Sequence, residues 1–174
     1  MKLRRAQRKT PVQQLEDIIL FAVGSMRFAI AAHAVDEIRN LDGLRAAKPG
    51  YLSKLSKVKY TLVREKKDSI TYFVVDAGSH YRLAATKGSR VLVLRDSAVA
   101  VLVDNIERMT QIVAINRLPR AFKGDELRWY RGLATIGEHV VPVVEPTSFL
   151  NKGEIAVLQA EVKTLAKVAG EVSA

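Results

Sequence analysis

The side chains best able to carry chemistry in this chain are three histidines, His33, His80 and His139, two strand-closing carboxylates, Asp76 and Glu145, and two serines, Ser25 and Ser97. The histidines are scattered, with no HxH or HExxH companion to give metal-ligand spacing, so each reads as a surface or partly buried imidazole. There is no cysteine, which removes thiol nucleophiles, thiolate zinc sites and iron–sulfur clusters together. No GxSxG surrounds either serine, and both fall where a turn is expected. The KGS run at Lys87 to Ser89 lacks the loop glycines that would turn backbone N–H groups toward a phosphate. Asp76 and Glu145 could act as an acid–base pair if burial drove their pKa values apart. Their equivalent placement after two apolar strands reads instead as a matched structural role, hydrogen bonding to the next turn. Trp129 with Tyr130 and Arg131 has the composition of a base-stacking platform, although a lone Trp entering a final strand pair is ordinarily core. The sequence therefore offers no catalytic residue, no metal site and no cofactor site, and the expectation is a protein that is not an enzyme.

These residues must be positioned by short β elements. Residues 18 to 32, IILFAVGSMRFAIAA, read as two strands around Gly24 and Ser25, with Leu20, Phe28 and Ile30 as core candidates. In the following HAVDEIRNL, Val35, Ile38 and Leu41 fit either a helical turn or a turn leading into a strand. Residues 45 to 69 are poorly patterned, Pro49 and Gly50 mark a loop, and ITYFVVDAG resumes a strand. RVLVLRDSAVAVLVDNIERM then repeats the plan, with Asp96 and Ser97 at the hairpin turn, and EHVVPVVEPTSFL supplies a last strand ended by Pro146. Val35, Asp36 and Ile38 align with Val103, Asp104 and Ile106 at an offset of 68, and Val74, Val75 and Asp76 align with Val143, Val144 and Glu145 at an offset of 69. Two matches at nearly one offset point to an internal duplication. Short strands with closely spaced turns favour barrels or sandwiches, because closure removes unpaired sheet edges. Residues 152 to 172 change period: Ile155, Leu158, Val162, Leu165 and Ala169 follow the three-four spacing of an amphipathic helix that could dock on the body or meet a partner.

The 174 residues carry 28 Lys plus Arg against 18 Asp plus Glu, a net charge of +10. Residues 1 to 15 contribute +5 and residues 45 to 67 contribute +7, which leaves the remainder at 10 − 12 = −2. The excess thus sits in a tail and in one segment containing Lys54, Lys57, Lys59, Arg64, Lys66 and Lys67, where nucleic acid, anionic lipid or an acidic protein face could be met. The charged start lacks a following apolar run, and the longest apolar stretches fall far short of the roughly 18 residues that span a bilayer. The expectation is no membrane insertion and a reducing, cytoplasmic setting.

From about residue 17 to 150 the chain resembles the CheW-like family of chemotaxis coupling proteins. The first half carries the family's pattern in Leu20, Gly24, Phe28, Ile30, Val35, Glu37 and Ile38, and the second in Ala100, Val103, Asp104, Gly132, Leu133, Gly137 and Val140. The resemblance implies a mainly β fold of two five-stranded SH3-like barrels, with a short helix in the first unit and a C-terminal amphipathic helix. The implied organisation is a basic tail over 1–16, a first unit over roughly 17–85 with parts exchanged, a second over roughly 88–150, and a helix over 151–174. It also implies a non-catalytic adaptor that binds the regulatory domain of a CheA-type histidine kinase and the cytoplasmic tip of a chemoreceptor, at membrane receptor arrays, and that meets other CheW-like domains. Carried over by position, Val35, Glu37, Ile38 and Arg39 match the kinase-facing segment, while Val99, Val101, Val103 and Asp104 match the wall of the receptor groove. The chain departs from the pattern where Lys66, Lys67, Asp68 and Ser69 replace the family's Asn-Leu-Arg-Gly turn. Two other expectations stand beside coupling: a relative that binds kinase without receptor, and a small-barrel nucleic-acid binder using the basic tail and loop.

Overall fold

The computed structural model describes residues 14–43, 46–47, 57–64 and 70–172. Eleven strands form two sheets: β1 (Glu16–Val23), β2 (Met26–Ala31), β3 (Val35–Asn40), β4 (Ala46–Ala47), β5 (Val58–Arg64), β6 (Ile70–Asp76), β7 (Arg90–Leu94), β8 (Val99–Val103), β9 (Asn105–Ile112), β10 (Tyr130–Ile136) and β11 (His139–Val144). The helices are α1 (Ala77–His80), α2 (Glu126–Trp129) and α3 (Lys152–Val172).

One sheet has the order β10-β11-β2-β1-β9 and the other β3-β7-β8-β6-β5-β4. Read from β5, the second runs β5-β6-β8-β7-β3, which is the first sheet's order with each strand replaced by its counterpart in the other half. Each N-terminal hairpin is inserted into the other half's sheet. Both insertions use the same joint, a parallel pairing of β2 with β11 and of β8 with β6. The first sheet closes on itself where Asn116 and Leu133 exchange backbone hydrogen bonds of 2.8 and 2.9 Å. Gly132 permits that approach, since a Cβ there would run into the Asn116 carbonyl and the Ile115 side chain. The sixth strand of the second sheet, β4, is a two-residue addition in a stretch expected to be irregular.

The exchange explains why the inner stretches of the hairpins, 18–21, 28–31, 91–94 and 99–103, are apolar on every residue instead of on alternate ones. In β1, Ile18 and Leu20 face one barrel interior, while Ile19, Phe21 and Val23 face the core shared by the two sheets. In β8, Ala100 and Leu102 face the other interior and Val99, Val101 and Val103 face the shared core. A strand buried on both faces reads as a continuous apolar run. The hairpin turns are set by Gly24 at φ 58° and Asp96 at φ 53°, the left-handed conformation that two-residue turns require.

Between Ala31 and Val35 there is a single 3-10 turn, Ala32–Ala34, followed by β3, so of the two readings open for this stretch the turn entering a strand holds. The strand-closing carboxylates play the matched roles expected of them. Asp76 Oδ1 accepts from the Ser79 N–H at 2.8 Å to cap α1, and Glu145 Oε1 accepts from the Thr147 hydroxyl at 3.1 Å in the turn that follows β11. α3 begins with a capping box: Asn151 Oδ1 accepts from the Glu154 N–H and Glu154 Oε2 from the Asn151 N–H, both at 2.8 Å. Leu158 is buried, and Ile155 and Val162 pack with it on the shared core. Val157 and Val168, off that stripe, are half exposed. Among the described residues no helix is long and apolar enough to cross a membrane.

Candidate partner-binding surfaces

The four residues expected to face a kinase lie on β3, which is an edge of the second sheet, paired only with β7 among the described residues. Val35 is 6% exposed and anchors the strand to the shared core. A register shift between Val35 and Glu37 then turns the later residues outward. Ile38 is 37% exposed, and Arg39 Nη2 pairs with Glu37 Oε2 at 3.1 Å. An edge strand with an exposed aliphatic and a local ion pair can take an added strand or pack against another sheet.

The receptor-groove assignment needs correcting in its residues. Val99, Val101 and Val103 are at most 1% exposed, and β8 is paired on both sides, to β7 and β6. These valines join the two halves and no partner could touch them. Asp104 lies nearer the surface, but its carboxylate already accepts three backbone N–H groups, from Gly24 at 2.6 Å and from Lys87 and Gly88 at 2.8 Å. Burial alone would raise its pKa, yet these three bonds together with the Lys87 charge hold it below the ordinary value. Gly88 is required here, because a Cβ would meet the Asp104 backbone. Beside this clamp lies a groove of 430 Å³ lined by Val23, Met26, Leu83, Ala84 and Ala85, with Met26 at 42% exposure. None of these five apolar side chains is a site candidate from the sequence, because the groove forms only where residues 83–85 meet the first hairpin's turn.

Of the basic segment, Lys54, Lys66 and Lys67 lie outside the described residues, as does the tail up to residue 13. Lys59 is exposed on β5, and of Arg64 only the strand backbone is described. Lys57 does not join an open basic face. Its Nζ lies 3.4 Å from His80 Nδ1 and 3.9 Å from Glu154 Oε1, at the wall of a separate cleft. Among the described residues no group of three or more His, Asp or Glu side chains is placed to hold a metal.

No family model matches the chain, and no curated protein matches it. Among solved structures it is similar to the crystal structure of the scaffolding protein TtCheW from Thermoanaerobacter tengcongensis, with a TM-score of 0.67 and 13% identity over 80% of this chain and 96% of that one. At that identity the likeness speaks to the fold. The paired barrels, the exchanged hairpins and this match agree: the chain has a CheW-like fold.

Proposed function

We propose that this protein is a CheW-type scaffold that couples a CheA-like histidine kinase to chemoreceptors in a signalling pathway controlling motility. The observation that carries this reading is the β3 edge, which offers Ile38 and an unextended sheet margin at the positions expected to meet the kinase regulatory domain, itself CheW-like. Such a domain could pack sheet edge to sheet edge, and a second CheW-like protein could use the same chemistry. The receptor tip is then assigned to the 430 Å³ apolar groove beside Asp104, in place of the buried valine strand. That groove excludes water from an inserted helix tip, and Gly24 and Ser25 border it with turn backbone. The site of action would be the cytoplasmic face of a receptor array.

Mixing the protein with the regulatory domain of a kinase from the same organism, at tens of micromolar, should give a shared size-exclusion peak. Ile38→Lys should weaken that complex about tenfold or more, the equivalent of losing one buried aliphatic side chain. Lys59→Glu should leave it unchanged. Absence of a complex with every such kinase would overturn the reading, and steeply salt-dependent binding to single-stranded nucleic acid would replace it.

A further inference from the structure

A second concavity, of 540 Å³, lies away from both the β3 edge and the Asp104 groove, where the turns that close the two halves meet the first turn of α3. Its wall is formed by Lys57, His80, Arg82, Asp125, Arg128 and Glu154, with Ser79, Thr147 and Ser148 also lining it. The volume is that of a small-molecule site. Three cations face two carboxylates. Arg82 Nη2 lies 2.6 Å from Asp125 Oδ2 and Lys57 Nζ lies 3.9 Å from Glu154 Oε1, whereas Arg128 has no ion-pair partner among the described residues.

Two features mark this cleft as more than a surface dent. Arg82 has φ 58°, just past the end of α1, where the chain ordinarily uses glycine. Its guanidinium is aimed by Asp125 and by the Trp129 ring, whose centroid is 5.7 Å from Cζ. With side chains 74% and 49% exposed, the Arg82–Asp125 pair contributes too little to explain a non-glycine residue in that conformation. The second feature is His80, which is 6% exposed. Its Nδ1 lies 3.4 Å from the Lys57 ammonium, which can only donate, so a neutral ring accepting there carries its proton on Nε2, which is buried with no partner among the described residues. Burial and the Lys57 charge push the imidazole down to about 3, so it adds no positive charge of its own and instead fixes the Lys57 head at the wall.

We propose that this cleft binds a small soluble dianion, a phosphate monoester or a dicarboxylate, held between the Arg82 and Arg128 guanidiniums and the Lys57 ammonium. Two guanidiniums offer planar, paired donors that suit such oxygens, and the ammonium supplies a third point of charge. The site joins Lys57 at the head of β5 to Glu154 in the first turn of α3, so a bound anion would tie the terminal helix to both halves.

The test is isothermal titration of the full chain with inorganic phosphate, glycerol 3-phosphate and malate in turn. Saturable binding of at least one probe is expected, weakened about tenfold or more by Arg128→Gln and by Arg82→Gly. Arg82→Gly suits the left-handed backbone, so an unchanged melting temperature will show that the loss is one of binding and not of folding. Lys163→Gln, on the exposed face of α3, should bind as the parent does. The proposal is overturned by no saturable binding of any probe up to ~10 mM, or by binding that both arginine variants retain. It is equally overturned by association only with vesicles containing phosphatidylglycerol, which would make the surface a lipid contact.

Discussion

The turn after β6 and the turn after β11 occupy corresponding places in two sheets of the same strand order, each opened by a carboxylate that caps it. At the same offset of 69 that relates Asp76 to Glu145, His80 corresponds to Phe149. The two rings meet 4.9 Å apart, Phe149 within the shared core and His80 at its margin with one nitrogen facing Lys57. The ring contact between halves thus joins an apolar side, Phe149, to a polar one, His80. What differs is polarity at the edge of the core, and that is where the cleft opens. At this pair the two matching turns supply the same ring contact, and only the one that carries a polar ring brings a charge to the edge of the core.

The sharpest way to break this pairing is at its centre. Phe28 is fully buried and stacks on Tyr81 of its own half at 4.7 Å and on Tyr130 of the other at 6.3 Å, so it contacts both halves. Phe28→Ala should cost about 3–5 kcal/mol. Because the hairpins are exchanged, denaturant unfolding of the parent and the variant should each show one transition by fluorescence and by circular dichroism alike. Two separated transitions would mean that the sheets hold their structure independently.

The next effect tests the His80 side of the pair. Its folded pKa of about 3 lies below the ordinary value of 6.5, so the unfolded chain takes up the proton first. Stability is then complete above the ordinary value and declines as pH falls toward the folded one. Between pH 7 and pH 5 the loss should be about 2 kcal/mol. His80→Phe, which copies the other half, should flatten that dependence in urea titrations at the two pH values. An unaltered slope in the variant would place the proton uptake elsewhere.

Much of this architecture was legible because apolar runs, turn residues and the two offsets are local signals. IILFAV and AVAVLV announced strands, and Gly24 and Asp96 announced their turns. Position within the sheets was not legible. A five-residue apolar run buried on both faces carries the same letters as one that walls a groove, which is why Val99, Val101 and Val103 were assigned to a surface they do not reach. Hairpin exchange decides that question, and it depends on pairing between strands that no local signal connects, 114 residues apart for Ala29 with Val143 and 26 apart for Val74 with Ala100. The 540 Å³ cleft was hidden for the same reason: Lys57, Arg82, Arg128 and Glu154 belong to four separate segments. By contrast, the placement of Glu37 and Ile38 depends only on local structure, the three-residue turn and the strand after it.

The two aspartates that the first offset aligns give a smaller contrast. Asp104 fastens the first hairpin's turn and the 87–88 link with three backbone bonds, whereas Asp36 lies 4.0 Å from Arg95 of the second hairpin's turn. Asp104→Asn keeps the shape and removes the charge, and should cost about 1–2 kcal/mol after allowing for its partial exposure. The sign with pH follows from the lowered pKa of Asp104: its contribution is whole above the ordinary value of 3.8 and is lost as pH falls from there through the folded value. A cost for Asp104→Asn below about 0.5 kcal/mol in urea titrations would show that the neutral amide keeps nearly all that the three backbone bonds contribute.

The smallest effects distinguish the surfaces of the two sheets. In the first, ion pairs cross between strands: Arg131 Nη1 to Glu16 Oε1 at 2.7 Å and Arg27 Nε to Glu107 Oε1 at 2.9 Å. At β3 of the second, Glu37 and Arg39 pair within one strand. A pair that joins distant segments is absent from the unfolded chain, whereas residues two apart remain neighbours there. Double-mutant cycles to alanine should therefore give about 0.2–1 kcal/mol for Arg131–Glu16, with Arg27–Glu107 at the lower end because its arginine is more exposed. The Glu37–Arg39 cycle should be close to zero in stability and should gain weight only in kinase binding, where the edge is covered and the same two charges lose water. A coupling for Glu37–Arg39 as large as that for Arg131–Glu16 in the free protein would mean that the β3 edge is held rigid before any partner arrives.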